Sequence, residues 1–210
     1  MTTRHRESIR LRIGILLIFV GLMWFAWLLD FIAGRPGSAA GIGIVPRSWA
    51  GFDGIFVAPF IHGDLDHLVS NSLPILVLGA LILLRGVAEF AFVVLVSGLV
   101  SGLGTWVFGS GNAQHIGASG VLFGFFGYLV FRAAFDRRLS SALVTLAVAF
   151  AYGTAFAYSL IPEESVSWSG HFFGFVGGFL AARMRYPARQ AKAHTDRLMR
   201  EASVVQFPRD

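Results

Sequence analysis

The sequence predicts an all-α membrane protein, a bundle of six transmembrane helices with both termini cytoplasmic. Three observations lead there. Hydrophobic residues make up 55% of the 210, against roughly 45–50% in soluble proteins. Charged residues are only 14%, where about 25% is usual, too few to coat a soluble domain of this size. Those charges fall at the termini and in short spacers between apolar runs. Net charge +5 and pI ≈ 10.4 do not indicate a nucleic-acid partner, because no basic face with base-reading side chains accompanies them. Cysteine is absent, which excludes disulfide frameworks, thiolate metal sites, iron–sulfur clusters and cysteine nucleophiles together.

A helix crossing the hydrocarbon core needs roughly 20 apolar residues. Six segments approach that length: Arg12 to Ala33, Leu68 to Leu84, Ala88 to Phe108, Ile116 to Phe131, Leu139 to Ile161 and Ser167 to Met184. The first follows the basic stretch RHRESIRLR, as a signal peptide would. Its apolar run exceeds the 7–15 residues of a signal core and five further spans follow, so it reads as a retained helix. The chain then divides into a basic cytoplasmic N-terminus (1–11), a six-helix core (12–185) and a basic cytoplasmic tail (186–210). The tail reads either as lying along the cytoplasmic leaflet or as a solvated topology signal.

Orientation follows from the bias of Lys and Arg toward cytoplasmic loops. With the N-terminus inside, every basic residue except Arg35 and Arg47 is cytoplasmic. Asp53, Asp64, Asp66, Glu163 and Glu164 fall outside. The long connection 34–66 holds Trp49, Phe52, Phe56 and Phe60, and such aromatics settle at a membrane interface. A loop of this length usually has a function.

Polar side chains inside a bilayer are expensive and point to function. The second span opens HGDLDHLVSN, with His67 and Asn71 four residues apart on one helix face and His62 just before them. The fourth opens QHIGASGVLFG, placing Ser119 between Gly117 and Gly120. The sixth opens SWSGHFFGFVGG, placing His171 beside Gly170, Gly174 and Gly178. Even-numbered spans all run from outside to inside, so the three motifs share one shallow layer. Small residues four apart let helices approach closely in lipid, and Gly120 and Gly124 offer the fourth span such a face toward the sixth. If those faces meet, Ser119 and His171 come within hydrogen-bonding reach as nucleophile and base. Helix N-terminal N–H groups, with Asn71 and His67, can then stabilise an oxyanion.

Other readings are weaker. GxSG alone suggests the hydrolase elbow, which requires a preceding strand. His115 is a rival base four residues before Ser119, and reads as a loop residue. Asp64 and Asp66 beside His62 and His67 match no metalloprotease signature, so neither metal nor cofactor is expected. A transporter would carry polar residues to the bilayer midplane or break helices in paired halves, and the inner halves of these spans are apolar.

HxxxxHxxxN at His62, His67 and Asn71, GxSG at Gly117 to Gly120, and HxxGxxxG at His171, Gly174 and Gly178 occur in that order on the second, fourth and sixth of six spans. In this the chain resembles the rhomboid intramembrane serine proteases over residues 10 to 185. The resemblance implies a Ser–His dyad: Ser119 as nucleophile and His171 as general base and then acid. His67, Asn71 and the Ser119 backbone N–H would hold the oxyanion, with His62 a structural anchor. It also implies water entry from the outer face, and lateral substrate entry gated by the fifth span and residues 162–167. The implied substrates are single-span membrane proteins cut near the outer end of their helix. Two positions depart from the family pattern. Phe123 stands where many members carry a Tyr beneath the histidine ring. Asp53-Gly54 stands where many carry Trp-Arg in the first loop, with Trp49 and Arg47 only nearby. The rival within the same resemblance is a catalytically silent relative that binds transmembrane clients, but such relatives typically lack the Ser or the His and this chain retains both.

Overall fold

A computed structural model describes residues 8–34, 42–111, 114–136, 138–161 and 167–206. Its α-helices are α1 (Ile9–Ile32), the short α2 (Gly54–Val57), α3 (Leu65–Leu83), α4 (Val87–Phe108), α5 (Ser119–Asp136), α6 (Leu139–Ser159) and α7 (Trp168–Gln206). The described residues form no strand, only an isolated antiparallel bridge between Ile44 and His115. Helices α1, α3, α4, α5 and α6 are each long and apolar enough to cross a membrane. The expected sixth stretch, to Met184, forms the first half of α7, and that helix runs on without a break to Gln206.

Helix starts depart from expectation where caps decide them. Asp64 takes the His67 N–H on its side chain at 2.7 Å, so α3 begins at Leu65 and places His67 in its first turn. Residues 116–118, expected inside the fourth span, precede α5, which opens on Ser119 itself. Ser8 caps α1 by accepting the Leu11 N–H. Pro74 lies inside α3, where it removes a backbone donor.

Packing follows the apolar faces. Helix α5 is central, touching α3, α4, α6 and α7; α1 packs on α3 and α4 lies along α7. The buried interior is made by Met23, Leu68, Ile75, Leu78, Val93, Phe125 and Leu129. Large apolar side chains point outward instead on α1 and α6, among them Leu17, Phe25, Leu146 and Phe150, the last 93% exposed. Water would not tolerate such a surface, and lipid does. Helix α6 is the most peripheral, with Ser141 and Val148 its buried residues.

The two ends of the bundle differ chemically. One collects Arg12, Arg85, Glu89, Arg132, Asp136 and Arg185, joined by Arg85–Asp136, Arg132–Asp136 and Arg185–Glu89 contacts of 3.5, 3.0 and 2.8 Å. The other holds His62, His67, Asn71, Ser119 and His171. The expectations for residues 1–7, Arg35, Arg137, residues 162–166 and Arg209 lie outside the described residues, as do the basic side chains of the tail from Arg189 to Arg200.

Candidate active site at one end of the bundle

Backbone contact brings the two key helices together. A Cβ built on Gly174 would lie 2.1 Å from the Gly120 carbonyl oxygen, and one on Gly178 would lie 2.1 Å from that of Gly124. Any side chain there would hold α5 and α7 apart. Gly120 follows Ser119 and Gly170 precedes His171, and a Cβ on Gly120 would lie 3.4 Å from the Gly170 carbonyl oxygen, so the contact that joins the helices adjoins both residues. The Ser101 hydroxyl on α4 donates to the Gly170 carbonyl at 2.8 Å, fixing the start of α7 from a third side.

His171 is buried, 8% exposed. Its Nδ1 lies 3.1 Å from the Ser159 carbonyl oxygen at the end of α6. A carbonyl only accepts, so Nδ1 carries the proton and Nε2 keeps the lone pair. This is how a base is oriented by a third group, and here that group is backbone, which no side-chain motif announces. The Phe123 ring lies 4.5 Å from the imidazole at 47°, and Phe156 of α6 packs on Phe123 in turn. The expected hydrogen bond between Ser119 and His171 is not among those the described residues form. Catalytic hydrogen bonds commonly tighten only when substrate binds.

The turn before Ser119 is shaped by two histidines. Gly117 has φ +104, and a Cβ there would lie 2.6 Å from Cε1 and Nε2 of His67. Only glycine takes that conformation cheaply while letting the ring lie against the backbone. His62, 1% exposed, accepts the Ala118 N–H on Nε2 at 3.4 Å, and its ring meets that of His67 at 5.0 Å. Burial, together with neighbouring His67, pushes the His62 pKa down to about 4. The ring is therefore neutral and able to accept. Asn71 is buried beneath His67 and donates one amide hydrogen to the His67 carbonyl at 2.8 Å. Behind Ser119 lies a cavity of about 30 Å³ lined by Ser101, Thr105, His115, Ser119 and Ser167 among others. Ile44, Ile55 and Val121 also line it, and it is large enough for a water molecule.

The first loop is seated without Trp-Arg at positions 53 and 54. Arg47, at φ 59, donates from its guanidinium to the carbonyls of Val107 and Gly109, each at 3.0 Å, at the C-terminal end of α4 where a cation is favourable. Trp49 packs on Trp106 at a tilt of 48° and Phe52 meets it edge to face. Asp53 instead caps the start of α2 by accepting the Gly54 N–H.

Sequence reading passed over Glu89. It is 2% exposed, accepts from the Tyr128 hydroxyl and pairs with Arg185 at 2.8 Å. A carboxylate one turn into an apolar run was the available signal.

Comparison with known proteins supplies the family context. The Rhomboid domain family model matches residues 49–188. An uncharacterized protein of Mycobacterium tuberculosis is 35% identical over 187 residues, covering 85% of this chain and 77% of the relative. The putative rhomboid protease YdcA of Bacillus subtilis is 35% identical over 126 residues, covering 57% of this chain and 60% of its own. Rhomboid protease GluP of the same organism is 29% identical over 129 residues, covering 58% of this chain and 24% of its own.

Proposed function

Because this chain belongs to the rhomboid family of intramembrane proteases, we propose that it is an active serine endopeptidase. It cuts single-span membrane proteins near the outer end of their helix. The single observation that supports this is the glycine seam, the backbone contact of α5 with α7 at Gly120 and Gly174, next to Ser119 on one helix and one turn from His171 on the other.

His171 Nε2 takes the Ser119 hydroxyl proton as Oγ attacks the scissile carbonyl, then gives it to the leaving amine. The Nδ1–H bond to the Ser159 carbonyl keeps the ring in that tautomer and bears part of the positive charge. The oxyanion is held by the Ser119 N–H, one of the helix-start donors without an intrahelical partner, and by His67 and Asn71. Asn71 retains a second amide hydrogen for this task. His62 is not needed there, since it serves by accepting the Ala118 N–H on Nε2 and so shaping the turn. Water from the outer face then hydrolyses the acyl-enzyme.

The chain spans a bacterial plasma membrane six times, α7 supplying the sixth span. The end of the bundle rich in arginine is cytoplasmic, as are both termini, by the Lys and Arg bias. The reactive end faces outward. Substrate enters from the lipid past α6. A substrate helix must open its hydrogen bonds before its peptide can be attacked, which favours cleavage near the membrane surface.

The test is cleavage of single-span proteins in proteoliposomes, with labelling by a fluorophosphonate probe. Ser119→Ala and His171→Ala abolish cleavage while protein still accumulates in membranes, and the probe labels Ser119. Cleavage at the wild-type rate by either variant refutes the dyad.

A further inference from the structure

His115 is left unused by that mechanism, yet it joins both halves of the site. Its backbone is fixed by paired bonds to Ile44, each 2.9 Å. Its Nε2 lies 3.1 Å from the Ser110 carbonyl oxygen, so Nε2 carries the proton and Nδ1 is the acceptor. Nδ1 lies 2.8 Å from the Ser167 hydroxyl, which therefore donates to it. Ser167 stands at the start of α7, where its Oγ receives the Gly170 N–H at 3.4 Å and its carbonyl the His171 N–H at 3.1 Å. His115 lies four residues before Ser119, and Ser167 four before His171. One hydrogen bond therefore ties the backbone leading to the nucleophile to the cap of the helix that carries the base.

We propose that His115 is a positioning residue, which through Ser167 holds the start of α7 in register with the Ser119 turn and so keeps His171 aligned on Ser119. This rests on the dyad reading above. The glycine seam fixes how closely α5 and α7 approach, but a smooth backbone contact resists sliding along the helix axes poorly. The His115–Ser167 bond lies at the reactive end and opposes that sliding. Burial lowers the His115 pKa, so the neutral ring able to accept from Ser167 is the form present at neutral pH.

The test measures fluorophosphonate labelling of Ser119 in the full-length protein, separating the maximal inactivation rate from the probe concentration at half-maximum. Wild type against Ser119→Ala reads the dyad by itself, so its failure is distinguishable from failure at His115. His115→Ala lowers the maximal rate about tenfold, the factor of one ordinary hydrogen bond, and leaves the half-maximal concentration within twofold. His115→Asn places an acceptor near the Nδ1 position and recovers most of the rate. His115→Gln keeps a donor for Ser110 but lacks that acceptor and does not recover it. Ser167→Ala lowers the rate by a similar factor, and the double variant His115→Ala/Ser167→Ala is no slower than the slower single. A His115→Ala rate within twofold of wild type overturns the proposal, as do equal rates for His115→Asn and His115→Gln or additive losses in the double variant. Should His115→Ala fail to accumulate, the Asn and Gln pair decides alone.

Discussion

Gly174→Ala is the sharpest perturbation of the site, because one methyl group acts between the two helices that carry the proposed dyad. The new Cβ would lie 2.1 Å from the Gly120 carbonyl oxygen, 2.9 Å from its carbon and 3.1 Å from its Cα, where real contacts almost never fall below 3.0 Å. All three atoms are backbone, so no rotamer change relieves the clash and α5 and α7 must part by about 1 Å. Overpacking of this kind costs about 1–3 kcal/mol. The separation falls between Ser119, which adjoins Gly120, and His171, one turn before Gly174. A misplacement of about 1 Å in a reacting pair costs on the order of 10²-fold in rate. Cleavage in proteoliposomes should therefore fall about 100-fold, while thermal unfolding in mild detergent drops by no more than the overpacking cost. Gly21→Ala is the control: on α1 its Cβ meets nothing within 4 Å, so activity is retained and helix propensity improves by up to about 1 kcal/mol. Gly174→Ala cleaving within threefold of wild type would refute the claim that the seam sets the dyad.

Other outcomes follow from the same geometry. Asn71→Ala lowers turnover about 10- to 1000-fold, in the range of lost oxyanion donors, with the fold retained by circular dichroism; an unchanged rate removes Asn71 from the mechanism. Phe123→Leu forfeits a ring contact with His171 worth about 0.5–1.5 kcal/mol, read as a drop of up to about tenfold in probe labelling. Glu89→Gln leaves Arg185 facing a neutral partner and lowers stability by about 1–3 kcal/mol, discounted from the cost of a fully buried pair because Arg185 is partly exposed; labelling of Ser119 stays within threefold, since the network lies at the opposite end. His62 binds a proton with pKa about 4 when folded and about 6.5 when unfolded, so the unfolded chain takes up more protons between those values. Stability from this group is complete above pH 6.5 and is lost as pH falls to 4, by about 3 kcal/mol in total; unfolding at pH 7.5 and 5 shows this dependence in wild type and a flatter one in His62→Gln.

Much of the molecule could be read from its sequence because the bilayer enforces simple rules. Apolar runs located α1, α3, α4, α5 and α6 to within a few residues, and the four-residue glycine spacing named the faces that meet. What escaped depends on backbone groups and on partners distant in sequence. The Ser159 carbonyl that orients His171 is carried by every residue type, so no side chain marks it. Arg47 holds the first loop by donating to carbonyls sixty residues away, a contact with no local pattern. Ser119 opens its helix rather than lying inside it because Gly117 takes a positive φ against His67, and periodicity does not register a turn of that kind. Glu89 was visible as a charge in an apolar run, but Tyr128 and Arg185 were needed to explain it.

The pairing of Glu89 with Arg185 bears on how the molecule is made. Translation delivers α4 and its carboxylate well before α7, so during membrane insertion Glu89 meets Tyr128 before it meets Arg185. Helix α7 brings Arg185 to that carboxylate and its glycines to the waiting face of α5 in one docking event, and with them the proposed base, His171. A nascent chain halted before α7 holds the proposed nucleophile without its proposed base. If the proposed dyad operates, proteolytic competence and completion of the Glu89–Arg185 pair are reached together, when α7 docks.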